Sequence, residues 1–200
     1  MRNKIEQLCI KSILVASVVA PLALICGAQP GAASRSKKLG EASFSLSQPD
    51  HNWVRKTLKG MSLHDKVAQL IAIRVPGKFV NQGSPEFENL LREVRDNRVG
   101  TLVLFAGNVY ESAALLNELQ LASKLPLLVA SDFERGASFR ITDATSFPYA
   151  MGMGAAGSED FAYQEGTITA REARALGVHW IYAPVLDVNN NPDNPVINIR

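Results

Sequence analysis

Two acidic residues, Asp132 and Glu134, follow directly after the apolar run Leu127–Ala130. Residues i and i+2 of an extended segment share a face, so the two carboxylates could lie side by side. In one interpretation both are catalytic carboxyl groups. In the other, Asp132 binds a ligand and Glu134 supports the loop by accepting hydrogen bonds from backbone amides, Arg135 or Arg140. We favour the second interpretation.

Two further patterns match cofactor and metal motifs only in part. Gly152–Gly157 has the spacing of a dinucleotide-binding loop, but no strand precedes it and no acid follows at a second strand end about 20 residues on. Close approach to the next helix explains these glycines better. Asp187, Asn189 and Asn191 fit the start of a calcium loop, whose required glycine and final glutamate are both missing. We therefore expect no cofactor and no metal, and a structural role for Asp187.

Helix and strand signals alternate along the chain. Capping residues followed by helical spacing predict four helices, which begin at Ser62, Ser84, Asn108 and Ser158. Apolar residues at helical spacing predict the buried faces of the first three: Leu63, Val67, Leu70 and Ile71, then Phe87, Leu90, Leu91 and Val94, then Leu115, Leu116 and Leu119. Four apolar runs lie between or after them: Ile71–Val75, Thr101–Phe105, Leu127–Ala130 and Trp180–Leu186. Such runs indicate strands with both faces buried, which is typical of parallel sheets covered by helices. The order β-α-β-α-β-α-β predicts an α/β fold.

Polar clusters follow three of these runs at their carboxyl ends, at residues 105–108, 131–134 and 186–189. Parallel sheets and barrels place ligands at that edge, because strand ends and loops converge there. A complete (β/α)₈ barrel has eight strands and takes about 250 residues, whereas four strands are predicted here. We therefore expect the first half of a (β/α)₈ TIM-like barrel.

In the fourth helix, Phe161, Ile168 and Ala175 recur at a heptad spacing that puts them on one face.

The amino-terminal residues have the features of an export signal. Arg2 and Lys4 precede an uncharged apolar run that ends in small residues, so residues 1–28 are predicted to be a secretory signal peptide. An uncleaved anchor is the alternative, although the run is shorter than the roughly 20 residues that span a bilayer. Residues 29–49 predict a flexible linker and 50–200 the folded part. We expect a periplasmic or secreted protein with no membrane span after signal removal.

Charge and cysteine content narrow the possible partners. The chain has 21 basic and 19 acidic residues, and the basic excess lies within the predicted signal. A nucleic-acid partner is therefore not expected, since it needs a surplus of clustered Lys and Arg. Cys9 and Cys26 also lie in the signal. A processed chain would thus have no disulfide, no thiolate metal site and no cysteine nucleophile.

Several segments together resemble glycoside hydrolase family 3. Residues 126–136 (PLLVASDFERG), followed by Arg140 and the Phe-Pro of 145–148, resemble its D-x-E-x-G…R…FP segment. Residues 61–70 and 99–105 are similar to the first helix and the G-G-[IV]-[IL]-L-F strand of the family. Residues 172–188 and 194–200 resemble its A-R-x-L-G…A-P-x-x-D segment and its N-P-V-I-x-x-R loop, which here ends in Arg200. The segments occur in the family's order.

The resemblance implies a retaining β-glycosidase with a (β/α)₈-like first domain. It also implies that Asp132 accepts hydrogen bonds from sugar hydroxyls and that Arg200 contacts the same sugar, with Arg140 as a further candidate. We expect a β-N-acetylhexosaminidase that releases terminal β-linked N-acetylglucosamine from a β-linked glycan or a peptidoglycan-derived sugar. A β-glucosidase of the same family and a non-catalytic sugar-binding or envelope protein are the alternatives.

The chain also departs from the family pattern. Arg135 stands where the family usually has glycine, which adds bulk and charge near the sugar loop. The Lys-His pair, the aspartate nucleophile and the acid/base group of the family would all lie beyond Arg200. Retaining hydrolysis needs an attacking carboxylate and a proton donor on either side of the bond. We therefore expect no catalytic residue within these 200 residues and no hydrolysis by them alone.

Overall fold

Parallel strands and helices alternate along residues 46–200, the part of the chain that the computed structural model describes. In chain order the elements are α1 (Gln48–Gly60), α2 (Leu63–Ala68), β1 (Ala72–Gly77), α3 (Pro85–Arg95), β2 (Thr101–Gly107), α4 (Val109–Ala122), β3 (Leu128–Ser131), a 3-10 turn (Ala137–Phe139), α5 (Ala150–Ala156), α6 (Glu159–Ala175) and β4 (Trp180–Ile181). The predicted signal peptide and nearly all of the predicted linker lie outside the described residues.

The four strands form one sheet in the order β1-β2-β3-β4, and every neighbouring pair is parallel. This confirms the predicted α/β architecture. The fourth strand is shorter than the predicted run, because ladder pairing stops after Ile181 apart from a bond of 2.9 Å from the Tyr182 amide to Ser131. Pro184 lies within that run and has no amide hydrogen to donate to a ladder.

All four predicted helix starts are confirmed by their caps. The side chains of Ser62, Ser84, Asn108 and Ser158 each accept a hydrogen bond from the backbone amide three residues on. Each bond satisfies one of the amides that the first turn of a helix leaves without a partner. Local side-chain chemistry therefore fixes where α2, α3, α4 and α6 begin.

Two helices were not predicted from the sequence. The first, α1, begins at Gln48, so the last two residues of the predicted 29–49 linker are helical. Its start has the reciprocal bonds of a capping box between Ser47 and Asp50. None of its residues is buried, and a helix without a buried stripe leaves only a weak periodic signal.

The second unpredicted helix, α5, contains the glycine-rich segment Gly152–Gly157 up to Ala156. A Cβ atom added to Gly154 or Gly157 would meet nothing within 4 Å, so the expected close approach to the next helix is wrong. Glycine costs about 1 kcal/mol relative to alanine inside a helix. Two glycines in seven residues therefore concealed this short helix from a propensity argument.

One face of the sheet carries the core. Val75, Leu102, Leu104 and Val129 are fully or almost fully buried there. They belong to a cluster with residues of α3 and α4: Phe87, Leu90, Val94, Leu115, Leu116 and Leu119. This confirms the buried faces predicted for those two helices. Side chains alternate across a strand, so the residues between these core positions point to the opposite face.

That opposite face is only partly covered, which corrects the prediction that both faces of every strand are buried. Ala130 is buried there, but Arg74 is exposed and Trp180 is 53% exposed. Trp180 packs edge-on against Tyr182, with ring centroids 5.1 Å apart. Apolar runs alone could not distinguish a strand covered on both sides from one covered on a single side.

The packed faces of two helices also differ from the expected ones. In α2, the predicted apolar positions Leu63 and Val67 are exposed, as are Leu70 and Ile71 after its end. In α6, Thr169 and Ala173 are buried, whereas Phe161 and Ala175 are exposed. The helix α6 contacts both the 3-10 turn and α5, and the heptad spacing alone does not show which of its sides these elements cover.

A histidine joins β3 to the segment before β4. The Val129 amide donates to Nδ1 of His179 at 3.1 Å, and the His179 amide donates to the Val129 carbonyl at 2.8 Å. Partial burial, with a smaller contribution from Arg174, lowers the pKa of His179 below its ordinary 6.5. The neutral ring is the form that can accept this hydrogen bond.

This lowered pKa predicts a pH-dependent stability. The unfolded chain takes up the proton first, so the free energy of unfolding should be highest above pH 6.5 and fall as the pH drops through that value. Thermal melts between neutral and mildly acidic pH measure this slope. His179→Asn keeps an acceptor at the Nδ1 position but does not titrate, so it should flatten the slope. An equal slope in both proteins would contradict the assignment.

Candidate functional site

The carboxyl ends of β1 and β2 meet at a very close backbone contact. A Cβ atom added to Gly107 would lie 1.5 Å from the carbonyl oxygen of Gly77, so no other residue fits there without movement of the backbone. The same carbonyl accepts hydrogen bonds from the Asn108 amide at 3.2 Å and the Ser112 hydroxyl at 3.0 Å. This contact fixes the start of α4 against the end of β1.

Gly107 also holds the loop that follows β3. Its amide donates to the Arg140 carbonyl, and its carbonyl accepts from the Thr142 amide, both at 2.9 Å. A third bond joins the same loop to α4, since the Val109 amide donates to Asp143 at 2.9 Å. The backbone around Arg140 is therefore attached to the end of β2.

The glycine of the D-x-E-x-G pattern has a structural reason. Gly136 has a φ of +92°, which disfavours other residues. A Cβ there would also lie 2.5 Å from the carbonyl oxygen of Thr145. Beside it, the Phe147 amide donates to the Arg135 carbonyl and the Ser138 amide to the Thr145 carbonyl, at 3.0 and 3.2 Å. The loop folds back on itself only because residue 136 has no side chain.

Asp132 is held by Arg140 in a two-point ion pair. Arg140 Nε donates to one carboxylate oxygen at 2.6 Å, and Nη2 donates to the other. This hydrogen bonding raises the pKa of Arg140 above its ordinary value. The Arg140 guanidinium carbon also lies 4.4 Å from the ring centroid of Phe105 and 4.5 Å from that of Phe139. In this arrangement Arg140 orients the carboxylate of Asp132.

Glu134 makes a second ion pair two residues further on. Its carboxylate lies 3.2 Å from Nε of Arg200, and its side chain is only 13% exposed. Glu134 is thus paired with Arg200 and not with the expected Arg135 or Arg140, and its role in supporting the loop stays a prediction. Beside this pair, Tyr149 and Pro184 help to line a cavity of about 20 Å³, which has room for about one water molecule.

The structure does not join Asp132 and Arg200 directly, although both were predicted to touch one sugar. Each is paired with another residue, Asp132 with Arg140 and Arg200 with Glu134. A carboxylate offers about four acceptor positions, so the two bonds from Arg140 leave Asp132 able to accept from hydroxyl groups. The shared contact with a sugar stays a prediction.

The departure at Arg135 is accommodated within the loop. Its guanidinium carbon lies 4.9 Å from the ring centroid of Tyr149, and Nη1 donates to the Ser146 hydroxyl at 2.7 Å. Its contacts therefore hold two parts of the loop together.

Asp187 is exposed after β4, and its carboxylate has no hydrogen-bond or ion-pair partner among residues 46–200. The structural role of Asp187 stays a prediction.

One charged residue near the site was missed in the sequence. Arg74 lies in β1 and is exposed, with its guanidinium carbon 4.4 Å from the ring centroid of Phe105. Arg140 approaches the same ring at the same distance. A lone arginine in the middle of an apolar strand was the available signal, but the run Ile71–Val75 was interpreted only as buried strand.

Residues 46–200 contain neither a group of metal ligands nor a helix suited to span a membrane. No three His, Cys, Asp or Glu side chains in this part of the chain are grouped closely enough to hold a metal ion. Within the same range, no helix combines the length and the apolar character needed to cross a membrane.

The motif segments agree with a family comparison. Residues 62–200 match the model of the glycosyl hydrolase family 3 N terminal domain. The chain belongs to glycosyl hydrolase family 3. Asp132, Glu134, Gly136 and Arg200 all lie within the matched range.

Known family 3 proteins are similar over part of their length. A beta-N-acetylglucosaminidase/beta-glucosidase from Cellulomonas fimi is 35% identical over 162 residues, which are 81% of this chain and 28% of the relative. Beta-hexosaminidase A from Pseudoalteromonas piscicida is 40% identical over 115 residues, 51% of this chain and 19% of the relative. The chain thus spans less than a third of either relative.

Solved structures agree with the fold. A beta-glucoside phosphorylase bound to 2FGlc has a TM-score of 0.66 and 31% identity, over 75% of this chain and 26% of the solved one. A family 3 beta-N-acetylglucosaminidase from a Paenibacillus strain has a TM-score of 0.59 and 32% identity, over 69% and 27%. The described sheet and helices therefore have the architecture of this part of family 3 enzymes.

The contact at Gly107 predicts a large cost for a single methyl group. Gly107→Ala should lower the free energy of unfolding by about 3 kcal/mol, as overpacking at a site that cannot relax does. Gly154→Ala is the matched control, because its Cβ meets no atom and should stabilise α5 by up to about 1 kcal/mol. Urea unfolding of both variants measures the difference. Similar midpoints for the two would show that the β1–β2 contact is looser than described.

Proposed function

We propose that this chain provides the sugar-binding part of a retaining β-glycosidase that releases terminal β-linked N-acetylglucosamine. The observation that carries the proposal is the carboxylate of Asp132, which Arg140 holds in a fixed orientation after β3. Family membership and the names of the relatives support glycoside substrates. The carboxyl edge of a parallel sheet is where α/β enzymes bind their ligands.

The chemistry of the site suits a sugar. Asp132 keeps acceptor positions for two hydroxyl groups, and each such bond to a charged acceptor is stronger than one between neutral groups. Arg200 uses Nε for Glu134, which leaves its two terminal nitrogens as donors toward sugar oxygens. The rings of Phe105 and Phe139 beside Arg140 add apolar surface. Binding and orientation are the tasks these residues can perform.

Bond cleavage needs two further groups besides the proposed sugar-binding residues. In retaining hydrolysis a carboxylate attacks the anomeric carbon while a second group protonates the departing oxygen, and water then releases the glycosyl intermediate. Asp132 and Glu134 are each held in an ion pair with an arginine, Asp132 with Arg140 and Glu134 with Arg200. We propose that the nucleophile and the proton donor come from residues outside these 200.

The binding step can be tested on the chain directly. We expect N-acetylglucosamine to bind in a saturable way by NMR titration, and Asp132→Asn to weaken the affinity about tenfold, since a charged acceptor is lost. Asp160→Asn, at an exposed acid in the first turn of α6, is the matched control and should bind normally. Tighter binding of glucose than of N-acetylglucosamine would favour the β-glucosidase alternative. Equal affinities for the Asp132→Asn and unmodified chains would contradict the proposed role of Asp132.

The catalytic step needs a second assay. An aryl β-N-acetylglucosaminide should stay intact with the 200-residue chain and be hydrolysed when the remaining length of the Cellulomonas fimi relative is fused after Arg200. Release of the aryl group is followed by absorbance. Hydrolysis by the unfused chain would place the nucleophile within it. A folded fusion that binds the sugar but ignores every aryl β-glycoside would favour the non-catalytic alternative.

A further inference from the structure

A cavity of about 370 Å³ lies at the edge of the sheet opposite Asp132. Its lining includes Arg98, which precedes β2, and residues 123–125, which precede β3, whereas Asp132 directly follows β3. The seven residues of β2 span about 20 Å, so this cavity is separate from the site described above. We propose that it is a second carbohydrate site, which binds a sugar residue that carries a carboxylate. The proposal rests on the proposed function only in the choice of a sugar as the carrier of the charge.

One face of α1 forms a wall of this cavity. Trp53, Lys56, Thr57 and Gly60 line it, and residues three, four and seven positions apart lie on the same side of a helix. Trp53 is 55% exposed and no residue of α1 is buried, so the indole is available to a ligand. The C–H groups on one side of a sugar ring form an apolar surface that can pack against an indole while the hydroxyl groups stay hydrated.

A second wall is held in place by an ion pair between α2 and the loop after α3. Nη1 of Arg98 donates to both carboxylate oxygens of Asp65, at 2.8 and 2.9 Å, and Nε2 of Gln69 donates to the Arg98 carbonyl at 2.9 Å. Arg98 has a φ of +59°, a backbone conformation that favours glycine after a helix end. Its side chain is thus fixed against α2, which gives the cavity a defined boundary.

The cavity has an excess of positive charge. Its lining contains three cations, Lys56, Arg98 and Lys124, and one acid, Asp65, which is paired with Arg98. Among residues 46–200, no carboxylate lies within ion-pair distance of Lys56 or Lys124. A carboxylate in this cavity can accept charge-assisted hydrogen bonds from these two ammonium groups. An acidic sugar should therefore bind more tightly than a neutral one.

The chain has two tryptophans, Trp53 and Trp180, so Trp180→Phe leaves Trp53 as the only tryptophan to report on the cavity. In this background we expect methyl β-D-glucuronide to change the fluorescence in a saturable way. It should bind about tenfold more tightly than methyl β-D-glucoside, which has a hydroxymethyl group in place of the carboxylate. Lys56→Gln and, in a second variant, Lys124→Gln should each reduce this preference to about threefold or less. Lys59→Gln, at an exposed lysine of α1 outside the cavity lining, removes the same charge and should keep the preference.

The second site and the proposed function can fail independently. Asp132→Asn should leave the glucuronide response of Trp53 unchanged; loss of the response in that variant would place the glucuronide after β3 and overturn the proposal. Equal affinities for the two glycosides, no saturable response, or a preference that survives both lysine substitutions would also overturn it. Tighter binding of adenosine monophosphate than of the glucuronide would do the same, since the cavity would then be a nucleotide site. A normal glucuronide response without binding of N-acetylglucosamine by NMR would contradict the proposed function alone.

Discussion

The backbone contact between Gly77 and Gly107 is the constraint on which the site depends. At this point the end of β1, the end of β2, the start of α4 and the loop after β3 are joined through two peptide groups. Arg140 is positioned because its carbonyl accepts from the Gly107 amide. Its guanidinium in turn orients the carboxylate of Asp132. The carboxylate that we propose to bind the sugar thus obtains its position from a strand pair in the sheet.

The elements that the sequence predicted correctly are those whose signals are local. A capping side chain or an apolar run depends on a few neighbouring residues, so four helix starts and the parallel strand order followed directly. The faces of α2 and α6 depend on which other elements cover them, and periodicity does not contain that information. The helix α1 was missed for a related reason, since it buries none of its residues.

In the site, too, the position of a residue along the chain was predictable, whereas its ion-pair partner was not. The place of Asp132 after a parallel strand was predictable, because such strands converge at their carboxyl ends. Its pairing with Arg140, and that of Glu134 with Arg200, depend on how the loop turns back at Gly136. Arg74 was missed because the sequence does not show which face of the sheet is uncovered, and so does not show that this side chain is exposed.

The grouping of Asp132, Arg140, Phe105 and Phe139 has a consequence for how this protein can change. Each member touches at least one of the others, so replacing one alters what the rest can do. Effects of substitutions among contacting residues do not add. Sequence drift or laboratory evolution at these four positions should therefore proceed in coordinated steps, while exposed positions on α1 or α6 can vary one at a time.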